Sequence, residues 1–150
     1  IERTFVMIKP DAVGRRLVGE IIRRYESKGL KLVGLKMQKV SRQVAEQQYA
    51  EHKGKAFYAN LVEFITSGPA VLVVLEGDNA IAVVRKLNGT TESQEAELGT
   101  IRGDFGMSVR HNLVHAADSP EVARREIPLY FEESELLNYP MPDERWVQGT

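Results

Sequence analysis

"AVLVVLEG", residues 70–77, is the most strand-like stretch of the chain, an apolar run closed by Gly77. It reads as a central strand. Upstream, a helical stretch over residues 58–66 ends at "SGP", residues 67–69; downstream, "DNAIAVVRKL", residues 78–87, reads as a short helix. Arg85 lies near its C-terminus, where the helix dipole favours a cation. Further out, "RTFVMIK", residues 3–9, is rich in β-formers and stops at Pro10, as a buried first strand would. Leu17, Ile21, Ile22 and Tyr25 recur at helical spacing, with Gly29 as the stop. "LKLVGLKMQKV", residues 30–40, alternates apolar and basic residues and reads as a strand with one wet face. Ser41 caps the next helix, on which Ala45, Tyr49 and His52 share a face.

Residues 88–111 show no sustained periodicity, and a connection of that length in a compact domain is often functional. "NLVHAA", residues 112–117, is a last short strand. Ser119 and Pro120 then give a helix start for "DSPEVARREI", residues 118–127, and the chain is irregular from Phe131 onward. The order of elements is that of an α+β sandwich of the βαββαβ type, a four-stranded antiparallel sheet with helices packed on it.

A chain of 150 residues is the size of one domain, so residues 1–150 are expected to form a single unit. Twenty Lys and Arg against 21 Asp and Glu leave a net charge of -1, which gives no global field for a long polyanion. Anion recognition must then be local. The absence of cysteine excludes thiolate metal sites, disulfides and cysteine nucleophiles. The apolar stretch before Lys9 is too short for a signal peptide or a membrane span, and a cytoplasmic protein is expected.

His115 stands inside the last strand. A histidine there is more often a hydrogen-bonded core residue than a catalyst. Chelation with His111 is excluded on a strand, where four residues span about 13 Å. The chemical reading needs a neutral imidazole as nucleophile, an orienting partner, and cations for the charge being transferred. Glu126 on the following helix, with Lys9, Arg85 and Arg102 at element ends or in the long loop, can supply these roles. No GxxxxGK[ST] loop and no GxGxxG turn is present, so P-loop and dinucleotide-binding readings lack their glycine cradle.

"TFVMIKPDAV", "ITSGPAV", "GTIRGDF" and "NLVHAAD" follow in the order and approximate spacing of the nucleoside diphosphate kinase motifs, and the sequence resembles that family over essentially its whole length. The resemblance implies a ferredoxin-like fold and a ping-pong transfer of the terminal phosphate from a nucleoside triphosphate to a nucleoside diphosphate. It makes His115 the residue phosphorylated and Glu126 the carboxylate that orients it, with Tyr49 beside the imidazole. Lys9, Arg85, Thr91 and Arg102 would hold the phosphates, and Lys9 and Asn112 the ribose hydroxyls. Phe57 would stack on the base, Leu61 and Val109 would line the opposite wall, and Mg²⁺ would bridge the phosphates rather than sit in a protein metal site. Simple alternation places Asn112 and His115 on opposite faces, so their convergence needs a bend that the family implies.

The resemblance further implies a homo-oligomer, with a hexamer favoured. Departures from the family pattern are Ala117 for Ser, Ala12 and Arg110 for Gly, and Ser93 and Leu98 for loop prolines. The missing hydroxyl at Ala117, together with Arg110, motivates the alternative of a weakened member acting mainly as a nucleotide-binding interaction or regulatory protein. A nucleic-acid-binding module of the same topology is disfavoured by the neutral charge and the lack of paired strand aromatics. No specific nucleic acid and no membrane are expected as partners.

Overall fold

The structure, a computed structural model, describes residues 1–149. Four strands, β1 (Glu2–Ile8), β2 (Lys31–Gln38), β3 (Ala70–Gly77) and β4 (Val114–Ala116), form one antiparallel sheet in the order β2-β3-β1-β4. The helices are α1 (Pro10–Gly14), α2 (Val18–Lys28), α3 (Arg42–Gln48), α4 (Tyr58–Ile65), α5 (Ala80–Asn88), α6 (Ile101–Phe105), α7 (Pro120–Tyr130) and α8 (Glu144–Val147). The expected α+β sandwich is the observed architecture, and β3 is central, paired on both sides.

Alternation along β1 divides two cores. Val6 and Ile8 pack with Ile21 and Tyr25 of α2 and with Ala80 and Val84 of α5. On the other side of the sheet, Phe5 and Met7 pack with Ala45 of α3, Val62 and Ile65 of α4, and Tyr130 of α7. His115 is paired with Met7, and cross-strand partners point to the same face. That register turns His115 away from its buried neighbours Val114 and Ala116 and toward the α3, α4 and α7 side.

Several elements differ from the sequence reading, each for a local reason. Pro10 ends β1 and also opens α1, since its fixed φ and missing N–H suit the first helical turn. Helix α3 stops at Gln48, with Tyr49 as its C-cap and a 3₁₀ turn over Ala50–His52. Within residues 88–111 lie a 3₁₀ turn, Ser93–Glu95, and α6, which is capped by the Thr100 hydroxyl accepting from Gly103 N at 3.0 Å. Helix α7 runs through Pro128 to Tyr130, three residues past the expected end. The last strand is shorter than expected, because Leu113 adopts φ 77°. On edge strand β2, a bulge between Leu32 and Gly34 resets the alternation, so Leu35 and Met37 are the exposed residues and Lys36 lies over the Phe131 ring.

The two helices on the α2 and α5 side are tied by one buried polar contact. Tyr25 Oη donates to Asn88 Oδ1 at 2.6 Å, where Asn88 ends α5. Burial pushes the Tyr25 phenol ionisation up, which keeps it a donor. Tyr25→Phe leaves the Asn88 oxygen without this partner and is expected to cost about 1–3 kcal/mol of stability, read as a lower urea midpoint at unchanged m-value.

Candidate active site

The bend in front of β4 assembles the site. Leu113 sits in the left-handed region, rare for a bulky side chain, and its neighbours hold it there. Its N–H donates to Asp11 Oδ2 at 3.2 Å, and its carbonyl accepts from Lys9 N at 2.9 Å. The turn brings the Asn112 side chain to Lys9, whose Nζ donates to Asn112 Oδ1 at 2.9 Å. Asn112 Nδ2 in turn donates to the Thr91 carbonyl at 3.2 Å. Leu113 thus supplies the bend that strict alternation lacks.

Arg102, on α6, is 8% exposed and makes three hydrogen bonds to backbone carbonyls: Nε to Asn112 at 3.1 Å, and its terminal nitrogens to Gly89 at 2.8 Å and Val114 at 2.6 Å. Two glycines make this possible. At Gly103 a Cβ would overlap the Glu97 carbonyl oxygen, and Gly89 has φ 86° with Thr100 packed against it. Arg85 reaches across from α5 to the Ala116 carbonyl at 3.3 Å. Among the described residues, none of Lys9, Arg85 and Arg102 lies within ion-pair distance of a carboxylate. Burial, and then the Arg102 charge, push the Lys9 ammonium down to about 8 against the opposing effect of Asp11. Burial likewise lowers Arg102, with Arg85 adding repulsion and Tyr25 acting the other way.

His115 meets Glu126 across the strand and helix: Nε2 lies 3.0 Å from Oε1 and 2.9 Å from Oε2 of a carboxylate that is 1% exposed. The other ring nitrogen, Nδ1, has no hydrogen-bond partner among the described residues. The Tyr49 ring stands edge-on to the imidazole at 5.8 Å. Burial, reinforced by Tyr130 and Glu126, raises the Tyr49 phenol, and its hydroxyl is buried without a partner. Ala117 contributes no hydroxyl here; its N–H donates to the Phe5 carbonyl at 3.1 Å.

One cavity of about 730 Å³ is lined by every residue the sequence nominated: Lys9, Tyr49, Phe57, Leu61, Arg85, Thr91, Arg102, Val109, Asn112, His115 and Glu126. Its volume suits a small-molecule ligand. Phe57 and Val109 are about half exposed at its wall, and Phe57 packs on His52 at 5.3 Å. A second cavity, of about 630 Å³ beside Ile1 and Arg3, contains none of the nominated residues. His111 instead packs on Phe64 at 4.9 Å, and no group of three or more His, Asp or Glu side chains among the described residues could hold a metal.

Sequence reasoning missed Gln48, which is 1% exposed and donates from Nε2 to Glu126 Oε2 at 3.3 Å. Asp118 and His52 also line the cavity without having been nominated. Asp118 closes the quoted "NLVHAAD" motif and so carried a signal. A glutamine at the end of a helix carries none.

The Nucleoside diphosphate kinase family model matches residues 2–136. The chain is 56% identical over 147 residues to a nucleoside diphosphate kinase of Archaeoglobus fulgidus, covering 98% of this chain and 97% of that one. It is 53% identical over 149 residues to that of Thermomicrobium roseum, covering 99% and 100%. Among solved structures, a halophilic nucleoside diphosphate kinase from Halobacterium salinarum in complex with CDP superposes with a TM-score of 0.95 at 47% identity, covering 97% of each chain. With the family model and these full-length relatives in agreement, the chain belongs to the nucleoside diphosphate kinase family and is a phosphotransferase.

Proposed function

We propose that the phosphate passes through His115, in a ping-pong cycle between a nucleoside triphosphate and a nucleoside diphosphate. The observation that carries this reading is the imidazole itself, with Nε2 held by Glu126 and Nδ1 unengaged, in a cavity lined by Lys9, Arg85, Arg102 and Arg110, none of which lies within ion-pair distance of a carboxylate among the described residues. The carboxylate favours the tautomer protonated on Nε2, which leaves the lone pair on Nδ1. Nδ1 forms a bond to the terminal phosphorus as the bond from phosphorus to the bridging oxygen breaks, and the diphosphate leaves with that oxygen. A terminal oxygen of a second diphosphate then attacks the phosphorus, and the electron pair returns to Nδ1. Nε2 keeps its proton throughout and donates it in the hydrogen bond to Glu126.

Phosphoryl transfer asks the protein mainly for positioning and charge stabilisation. Lys9, Arg85, Arg102 and Thr91 are assigned to the phosphates, and Lys9 and Asn112 to the ribose hydroxyls. Tyr49 limits the tilt of the imidazole. Phe57 is the platform for the base, facing Leu61 and Val109, and an aromatic face accepts any base. The donor set fits magnesium carried on the nucleotide: the cavity is lined by the carboxylates of Glu51, Asp118 and Glu126, the last engaged by His115, and no cluster of three or more ligating side chains is present among the described residues, as suits an ion that keeps substrate phosphates and waters as ligands. When bound, the ion neutralises charge on the transferring group.

Residues 1–150 are assigned to one working domain. The unpaired edge of β2, with Leu35 and Met37 exposed, and Leu98 exposed in the long loop support a homo-oligomer, for which a hexamer is favoured. Among the described residues no helix is long and apolar enough to cross a membrane. The cytoplasm, where nucleoside triphosphates are held, is the proposed compartment.

Three outcomes test this reading. His115→Ala should abolish labelling by ATP labelled in its terminal phosphate while the far-ultraviolet circular dichroism is kept, and the wild-type label should survive base and be lost in acid; a labelled His115→Ala protein would overturn the nucleophile. Phe57→Ala should weaken all nucleoside diphosphates alike, by about 1–3 kcal/mol, and titration with a purine and a pyrimidine diphosphate checks this. Lys9 is also a pH sensor for binding. A bound phosphate favours its charged form, so ADP affinity should be full below about 8 and fall as pH rises above it, with proton uptake on binding in that range. Calorimetry in buffers of different ionisation enthalpy should show the uptake in wild type and not in Lys9→Gln.

A further inference from the structure

We infer that Gln48 and Tyr130 are positioning residues for the phosphoryl transfer: a buried chain from Tyr130 through Gln48 to Glu126 fixes the carboxylate that holds the His115 ring. Its members come from separate elements. Gln48 ends α3, and Glu126 and Tyr130 lie one turn apart on the same face of α7, which reaches Tyr130 only because it continues past Pro128. Tyr130 Oη donates to Gln48 Oε1, and Gln48 Nε2 donates to Glu126 Oε2 at 3.3 Å. All three are buried, at 4%, 1% and 1% exposure.

The direction of the chain follows from its ends. Burial and the Glu126 charge push the Tyr130 phenol ionisation up, so its hydroxyl keeps a proton to donate. That donation sets the Gln48 amide with its oxygen toward Tyr130 and its NH₂ toward the carboxylate; the flipped amide would oppose oxygen to oxygen at Glu126. Besides the imidazole, Gln48 is the hydrogen-bond donor to Glu126 among the described residues. A buried carboxylate with one side-chain donor fewer is both less well satisfied and freer to rotate, and each loosens the ring it holds. Tyr130 itself is clamped by stacking on Phe5, with ring centroids 5.1 Å apart and planes 6° from parallel.

The inference rests on His115 as the phosphoryl acceptor, and the experiment separates the two. Tyr130→Phe keeps the stacked ring and removes only the hydroxyl; Gln48→Met keeps the length of the side chain and removes the amide. Single-turnover phosphorylation by ATP should slow by about three- to tenfold in each variant, the rate equivalent of one net hydrogen bond, while the Kd for ADP is unchanged. Acting through Gln48, the hydroxyl should matter only when the amide is present, so the double variant should be no slower than Gln48→Met. In a Glu126→Gln background, Tyr130→Phe should have no further effect on the rate. Unchanged rates in both single variants, additive losses in the double variant, an undiminished Tyr130→Phe loss with Gln at position 126, or a matching loss of ADP affinity would each overturn the chain. Labelling that still maps to His115 in those cases leaves the nucleophile standing, whereas labelling of His115→Ala removes both.

Discussion

Among the described residues Arg102 is buried without a carboxylate partner, and its charge is solvated by the carbonyls of Gly89, Asn112 and Val114. Those three carbonyls belong to the end of α5, the turn before β4, and β4 itself. A planar guanidinium holds these three groups from three separate nitrogens in a fixed fork, whereas the three donors of a lysine share one nitrogen. The geometry of the cavity depends on this clamp, because the same turn carries Leu113 at φ 77° and sets Asn112 beside Lys9.

Holding that arrangement has an electrostatic cost. Burial, with Arg102 repelling Lys9 and Arg85 repelling Arg102, disfavours the charged forms of Lys9 and Arg102, and Asp11 and Tyr25 offset only part of this cost. A polyanionic ligand reverses its sign. Each cation is already fixed by hydrogen bonds to Asn112, Ala116 or the clamped carbonyls, so the proposed phosphate contacts would need little reorganisation. Two of these cations reach the carbonyls on either side of the proposed nucleophile, and its ring is held through Glu126 and the buried Gln48 and Tyr130. Cations and imidazole are thus each fixed by hydrogen bonds around one cavity, which suits a reaction governed by positioning.

Much of this was legible in the chain. The run at residues 70–77 identified the central strand, Ser119 and Pro120 marked the start of α7, and Ser41 that of α3, since a cap or an apolar run is a local feature with a local cause. Boundaries were read less well where tertiary contacts override the local signal. The helix was read only over residues 118–127, yet α7 continues through Pro128 to Tyr130, where the Phe5 ring receives Tyr130 and the Phe131 N–H returns to the Ile127 carbonyl at 3.0 Å. On β2 the alternation of basic and apolar residues suggested a basic wet face, and one bulge at the edge turned Leu35 and Met37 outward instead.

By itself, the sequence determined the βαββαβ order and the family resemblance, because apolar periodicity, caps and motif spacing are written in the order of residues, and through that resemblance it nominated eleven of the side chains that line the cavity. Tertiary structure alone decided how those side chains meet. The register of Met7 with His115 chose the face of the imidazole, and a left-handed leucine held by Asp11 and Lys9 brought Asn112 to the cations. Gln48 carries no sequence signal at all: whether a glutamine at a helix end meets water or a buried carboxylate depends on a helix 78 residues further along the chain. Hydrogen bonding acts over about 3 Å of space, and residues distant in the chain come within that range only when the fold places them there.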